Sequence, residues 1–234
     1  MPDFGFYSWP EPKIGAYHEV QRNAIAMDQR VSWKKKIQKA VWRGAILGLE
    51  IRRTLLEVTK GKDWADVKTL DWGNQESFEQ DRLSMDDHCK YKYVIHTEGT
   101  SNSGRLKYLQ NCRSVVVVHK LEWVQHHHHL MVASGPEQNV VEVQRDFTDL
   151  EAKIGELKLR DEDAEAIADR GVKVFRERYL TPAAETCYVS DQDYLVSFYL
   201  WLQVDLCGAN SNTLTVAKIN QRLGNSELFT RSYQ

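Results

Sequence analysis

The stretch KYKYVIHTEGTSNSGRLKYLQNCRSVVVVH, residues 90–119, decides the fold. Residues 90–97 are dense in aromatic and β-branched side chains and predict a strand. Gly99 and Gly104 bracket a polar turn, and RLKYLQNC, residues 105–112, predicts a helix. The run 114–119 is apolar without alternation, which is the pattern of a strand buried on both faces of a parallel sheet. Strand, turn, helix and buried strand make one βαβ unit. In such a unit the turn meets free helix N–H groups, and EGTSNSGR adds Thr100, Ser101 and Ser103 as hydroxyl donors and Arg105 as a phosphate-gripping guanidinium. The pattern is neither a dinucleotide fingerprint nor a Walker loop. It fits a phosphate site and equally an ordinary capped turn.

The same alternation continues on both sides. KAVWRG, ending at Gly44, reads as a strand, LEIRRTLLEV as a helix and ADVKTLDW as a strand, with residues 73–87 a polar loop. Downstream, NVVEVQ reads as a strand, and TDLEAKIGELK opens on a capping box from Thr148 to Glu151 with Leu150, Ile154 and Leu157 on one face. The segment 161–180 repeats the pattern with Ala164, Ile167, Ala168 and Phe175. Strands alternating with helices predict an α/β fold with a mostly parallel sheet. Residues 1–32 are rich in aromatics and prolines and read as an extended lead-in, residues 33–206 as the folded lobe and residues 207–234 as a polar tail.

Composition excludes some classes. With 42% hydrophobic and 27% charged residues and a net charge of −2, the chain is an ordinary globular protein and no dedicated nucleic-acid binder. Charge is uneven: residues 30–62 carry ten Lys and Arg against Glu50 and Glu57, and residues 146–169 carry nine acids. A local basic field suits a polyanion such as a nucleoside diphosphate, and also suits a solvated helix face. The greasiest run, residues 194–206, is shorter than the ~20 residues of a membrane span and reads as a buried helix. No signal peptide is visible at the start.

Residues 87–123, followed by NVVEVQRDFTDL and DAEAIADRG, resemble glycosyltransferase family 90. These are the capsule-associated (Cap-ten type) transferases, a family that includes the Rumi-type protein O-glucosyltransferases. PDFGFYSWPEP, WKKKIQKAVWRG and TCY match further blocks in order, with a fungal flavour, over roughly residues 2–200. The resemblance implies inverting transfer of glucose or xylose from a UDP-sugar to a glycan or protein hydroxyl. It implies a Rossmann-like donor-binding lobe of a GT-B-type enzyme, no metal or other cofactor, and residence in the Golgi or ER lumen. If the chain is a complete product, the lack of a leader implies the cytoplasm instead. The matched donor-site positions are Arg43, Gly44, Arg52 (Arg53 if the match slips by one), Gly99, Thr100, Ser101, Ser103, Gly104 and Arg105. Glu122 is either a ribose ligand or a solvent-facing cap. The family's amino-terminal lobe, with the catalytic base, would be missing from this chain, so no base is named; Asp3 matches no base position.

The resemblance also pairs Cys89 with Cys112 as a disulfide and leaves Cys187 without its partner. Four reduced cysteines in a cytosolic protein remain the alternative. Trp9, Trp33 and Phe6 are expected on an apolar face that the missing lobe would cover. Four successive histidines, His126–His129, sit inside the matched pattern, so they are not a tag. They read as structural or cleft-lining imidazoles, with donor contact or metal binding as alternatives. Three functions therefore compete: a UDP-sugar transferase lobe, a non-catalytic nucleotide-binding or scaffold fragment, and a histidine-built metal module.

Overall fold

A computed structural model describes residues 8–9 and 14–185. Two short strands, β1 (Ser8–Trp9) and β2 (Gly15–Ala16), pair antiparallel and lead into helix α1 (Tyr17–Arg30). There follow β3 (Ile37–Gly44), α2 (Glu50–Thr59), β4 (Ala65–Thr69), α3 (Gln75–Asp81), α4 (Met85–His88) and β5 (Tyr91–His96). The chain continues through the single-turn α5 (Leu106–Leu109), β6 (Val115–His119), β7 (Val141–Val143), α6 (Leu150–Leu159) and α7 (Asp161–Val174). Phe175–Tyr179 extends α7 as a π turn.

The five-stranded sheet runs β4-β3-β5-β6-β7, every neighbouring pair parallel. From β3 the chain first winds outward to β4, then crosses to β5 and winds the other way through β6 and β7. The strand order therefore reverses between β3 and β5. At such a reversal the two connections leave in opposite directions and open a crevice beyond the strands' carboxyl ends.

Layering explains the unalternating apolar run. Val115 and Val117 of β6 join Tyr93, Ile95 and Trp42 against α2, α6 and α7 on one face. Val116 and Val118 join Val94 and Val41 against α1, α4 and α5 on the other. With helices on both faces, every residue of β5 and β6 is buried. Leu150, Ile154 and Leu157 of α6, and Ala164, Ile167 and Ala168 of α7, face this core as their spacing predicts, and Phe175 is buried on the opposite side.

Several expectations need correction. The lead-in 1–32 contains α1, which buries Tyr17, Val20, Ala24 and Met27 at helical spacing. Its start has no side-chain cap on Ala16, so the usual sequence punctuation is missing. Residues 73–87 are not a loop but hold α3 and α4, capped by the side chains of Asn74 and Ser84. The capping box fails: Thr148 turns to Asp146 (Oγ1–Oδ1 2.8 Å), while Glu151 accepts from Lys62 and from Trp64 Nε1. Trp33 is not exposed; it is buried, donates to Asp161 (3.1 Å) and lies beneath the Lys92 ammonium. Phe6, the run 194–206, Cys187, Cys207 and the tail 207–234 lie outside the described residues, as does the side chain of Trp9.

Candidate functional site

The carboxyl ends of β3 and β5 bring the β3–α2 loop beside the loop 97–105. Trp42, buried on β3, is the floor of the crevice between them. The guanidinium carbons of Arg52 and Arg105 lie 5.8 Å and 6.0 Å from its ring centroid. Arg52, on the buried side of α2, donates from Nε to the Glu98 carbonyl (3.0 Å) and from Nη1 to the Ala45 carbonyl (2.6 Å). Arg105 Nη1 is out of contact with solvent and has no hydrogen-bond partner.

Gly44 permits this approach, whereas Gly99 is not required by it. A Cβ on Gly44 would sit 2.7 Å from the Trp42 ring and 3.2 Å from Arg105 Nη1. A Cβ on Gly99 would lie 3.6 Å from Arg52 Nη2, in ordinary contact. Neither Arg52 nor Arg105 has a carboxylate partner among the described residues. Burial, and then repulsion from Arg52, push Arg105 down to about 10. Burial lowers Arg52 as well. Both remain charged at neutral pH, so the crevice holds two cations against one ring with no counter-ion among the described residues. A bound anion would relieve both penalties, the lost hydration and the repulsion.

Unpartnered polar atoms collect nearby. Trp42 Nε1, Thr97 Oγ1, His96 Nδ1 and His88 Nε2 are buried without hydrogen-bond partners among the described residues. His88 donates from Nδ1 to the Ser84 carbonyl (2.8 Å), and burial pushes it to about 4. His96 is driven well below its usual range by burial and by His119, Arg105 and Arg52. These imidazoles are neutral at pH 7.

The structure sorts the sequence-selected residues. Gly44, Arg52, Gly99 and Arg105 meet at the crevice. Thr100 and Ser101 are exposed on the loop, and Ser103 and Gly104 lie half-buried before α5. Arg43 does not join them: its guanidinium donates to the Asp81 and Asp66 carbonyls (both 2.6 Å) and pairs with the Asp66 carboxylate (2.8 Å). Arg53 points outward and pairs with Glu50 (3.0 Å). Helix α5 is one turn long, so guanidinium charge replaces the helix dipole expected there. Glu122 is exposed and pairs with Arg145 (2.9 Å).

Sequence reasoning missed Trp42, Glu98 and Arg145. Glu98 was legible as the acid opening the glycine turn; nothing in the pattern marked the other two. The histidine run ends in a single 3-10 turn, His128–Leu130. His127 is buried with both ring nitrogens unpartnered, and His126 meets Glu185 (3.1 Å). Among the described residues no group of three or more His, Cys, Asp or Glu is arranged to hold a metal ion. Cys89 and Cys112 form a disulfide that ties the end of α4 to the end of the α5 turn.

Comparison with known proteins identifies the family. The model of the family described as Glycosyl transferase family 90 matches residues 1–195. Human protein O-glucosyltransferase 1 is 27% identical over 194 residues, covering 77% of this chain and 47% of that protein. Zebrafish protein O-glucosyltransferase 2 is 32% identical over 167 residues, 67% of this chain and 32% of the relative. The Drosophila O-glucosyltransferase rumi is 29% identical over 122 residues, 47% and 28% of the two chains. The chain thus spans about half or less of the length of these curated relatives. With 195 of its 234 residues inside the family pattern, the chain belongs to glycosyltransferase family 90.

Proposed function

We propose that the crevice between β3 and β5 binds the diphosphate of a UDP-sugar, and that the sheet is the donor lobe of an inverting GT-B-type glycosyltransferase. The acceptor is a glycan or protein hydroxyl, and the sugar is glucose or xylose. The observation that carries this reading is that Arg52 and Arg105 both lie against the Trp42 ring, and neither has a carboxylate partner among the described residues. Negative charge grows on the departing UDP during glycosyl transfer, and fixed cations stabilise that charge without reorganising. Arg52 is set in place by two main-chain carbonyls, so its orientation exists before the donor arrives. These arginines do the work a divalent cation does elsewhere, and donor binding is expected to survive chelators.

Glu98 is not the base that takes the acceptor proton, because its oxygens are already engaged by Arg145 and by two main-chain N–H groups. The crevice thus offers donor binding without an assigned base. That favours, as a second reading, a nucleotide-binding unit with no transferase activity of its own. The Cys89–Cys112 disulfide supports residence in an oxidising lumen. Among the described residues no helix is long and apolar enough to cross a membrane.

Calorimetric titration with UDP and UDP-glucose, with and without EDTA, tests the site. Arg105→Ala and Arg52→Ala should each weaken binding by about 30- to 100-fold. A wild-type chain that binds neither ligand overturns the reading. Binding without sugar transfer or donor hydrolysis selects the second one.

A further inference from the structure

Glu98 buries its carboxylate at the carboxyl end of β5, with its side chain 2% exposed. Every polar group it carries has a defined partner. Its N–H donates to His119 Nε2 (3.1 Å), and its carbonyl accepts from Arg52 Nε (3.0 Å). Oε1 accepts from the main-chain N–H of Glu122 (2.9 Å) and of Trp123 (2.7 Å), and Oε2 accepts from Arg145 Nη1 (2.7 Å). Arg145 closes the same loop from outside, through the Lys120 carbonyl (3.2 Å) and the Glu122 carboxylate (2.9 Å). One residue thus carries the cation of the crevice on its main chain and the segment 120–123 on its side chain.

A buried carboxylate is an expensive anchor for an ordinary surface loop. The loop it fixes presents Trp123, 48% exposed, with no partner described for its ring. A tryptophan immobilised through its backbone while its ring stays open is suited to stack on a ring brought by a ligand. Its main-chain N–H and the Arg52 guanidinium are held by the two ends of one residue, Glu98.

We propose that Glu98 is a positioning residue and that Trp123, which it holds, is a stacking wall for a ring of the donor next to the diphosphate. This rests on the donor-site reading above, and it assigns the two ends of Glu98 to separate tasks. The main-chain end orients Arg52 for phosphate; the carboxylate end orients Trp123 for the organic part.

Titrating the full chain with pyrophosphate, UDP and UDP-glucose tests the division. Trp123→Ala should weaken UDP or UDP-glucose about 10-fold or more and leave pyrophosphate unchanged, with partial recovery in Trp123→Phe. A loss already present with UDP places the stacked ring in the nucleoside; a loss seen only with UDP-glucose places it in the sugar. Glu98→Ala should reproduce the Trp123→Ala pattern. If that variant does not fold, the Trp123 series decides, since its ring is open to solvent. Unchanged affinities, or an equal loss of pyrophosphate, would overturn the proposal while leaving the arginine site intact. A wild-type chain that binds none of the three removes both readings together.

Discussion

Two clusters of buried cations lie at opposite ends of β5, one before its first residue and one after its last, and they are built on different rules. At one, Asp28 of α1 pairs with Lys36 (3.0 Å) and Arg176 (2.5 Å) and accepts from the Arg113 N–H (3.2 Å). Lys36 also donates to the Cys89 carbonyl (2.6 Å), which places the disulfide in the same knot. At the other, Arg52 and Arg105 both lie against the Trp42 ring, with no acid paired to either among the described residues. Burying a charge is tolerable when it is paired, so the first cluster reads as architecture. The second keeps its penalty uncompensated among the described residues, as the proposed donor site requires.

The contrast is breakable, and the largest effect belongs to the paired cluster. Asp28→Ala leaves Lys36 and Arg176 buried without their acid and should cost about 3–5 kcal/mol in urea unfolding. If the loss is only a few tenths, the cluster is not architecture. Reducing Cys89–Cys112, or replacing both with Ser, should cost about 3 kcal/mol, because the closed loop restrains the unfolded chain. The cross-link also joins α4 to the turn that carries Arg105, so donor affinity should fall with it.

At the unpaired cluster the sign reverses. Arg105→Ala removes a lone buried cation, so thermal stability without ligand should hold or rise while the UDP-induced shift disappears. A variant that melts early would show Arg105 to be structural and dissolve the contrast.

The last contrast is gradual rather than abrupt: the pH dependence of the buried imidazoles. Burial holds His88 to about 4 and His127 to about 3, the latter helped by the neighbouring His126 and His128. In the unfolded chain both titrate near 6.5. Below that value the unfolded state takes up protons that the folded state refuses. Stability is therefore intact above about pH 6.5 and falls as the pH is lowered toward the folded values, by about 1.4 kcal/mol per unit per histidine. Melting curves between about pH 7.5 and about pH 4.5 check this. His127→Phe should flatten the slope, whereas an unchanged slope would mean that His127 is already protonated in the fold.

How much was legible beforehand follows from the range of each interaction. The run Val115–Val118 announced a strand buried on both faces, and Gly99 to Arg105 announced a turn after a strand, because both are statements about adjacent residues. Helix α1 was missed since its amino end lacks a capping side chain, and α3 and α4 were missed because their short polar sequences show little periodicity. The capping box at Thr148 was a local match that lost to longer contacts, Glu151 being drawn to Lys62 and Trp64.

At the site the division is sharper. The family resemblance marked Arg43, Arg52 and Arg105 as equals, and the hydrophobic period, written residue by residue, announced the α/β alternation. Only the tertiary structure separated the three arginines. Asp66, distant in sequence, sits beside Arg43 on the neighbouring strand and occupies it, while the reversal of strand order between β3 and β5 gathers the other two over Trp42 with no acid in reach. Pairing across a sheet depends on strand order, and strand order is a property of the packed layers rather than of any one segment.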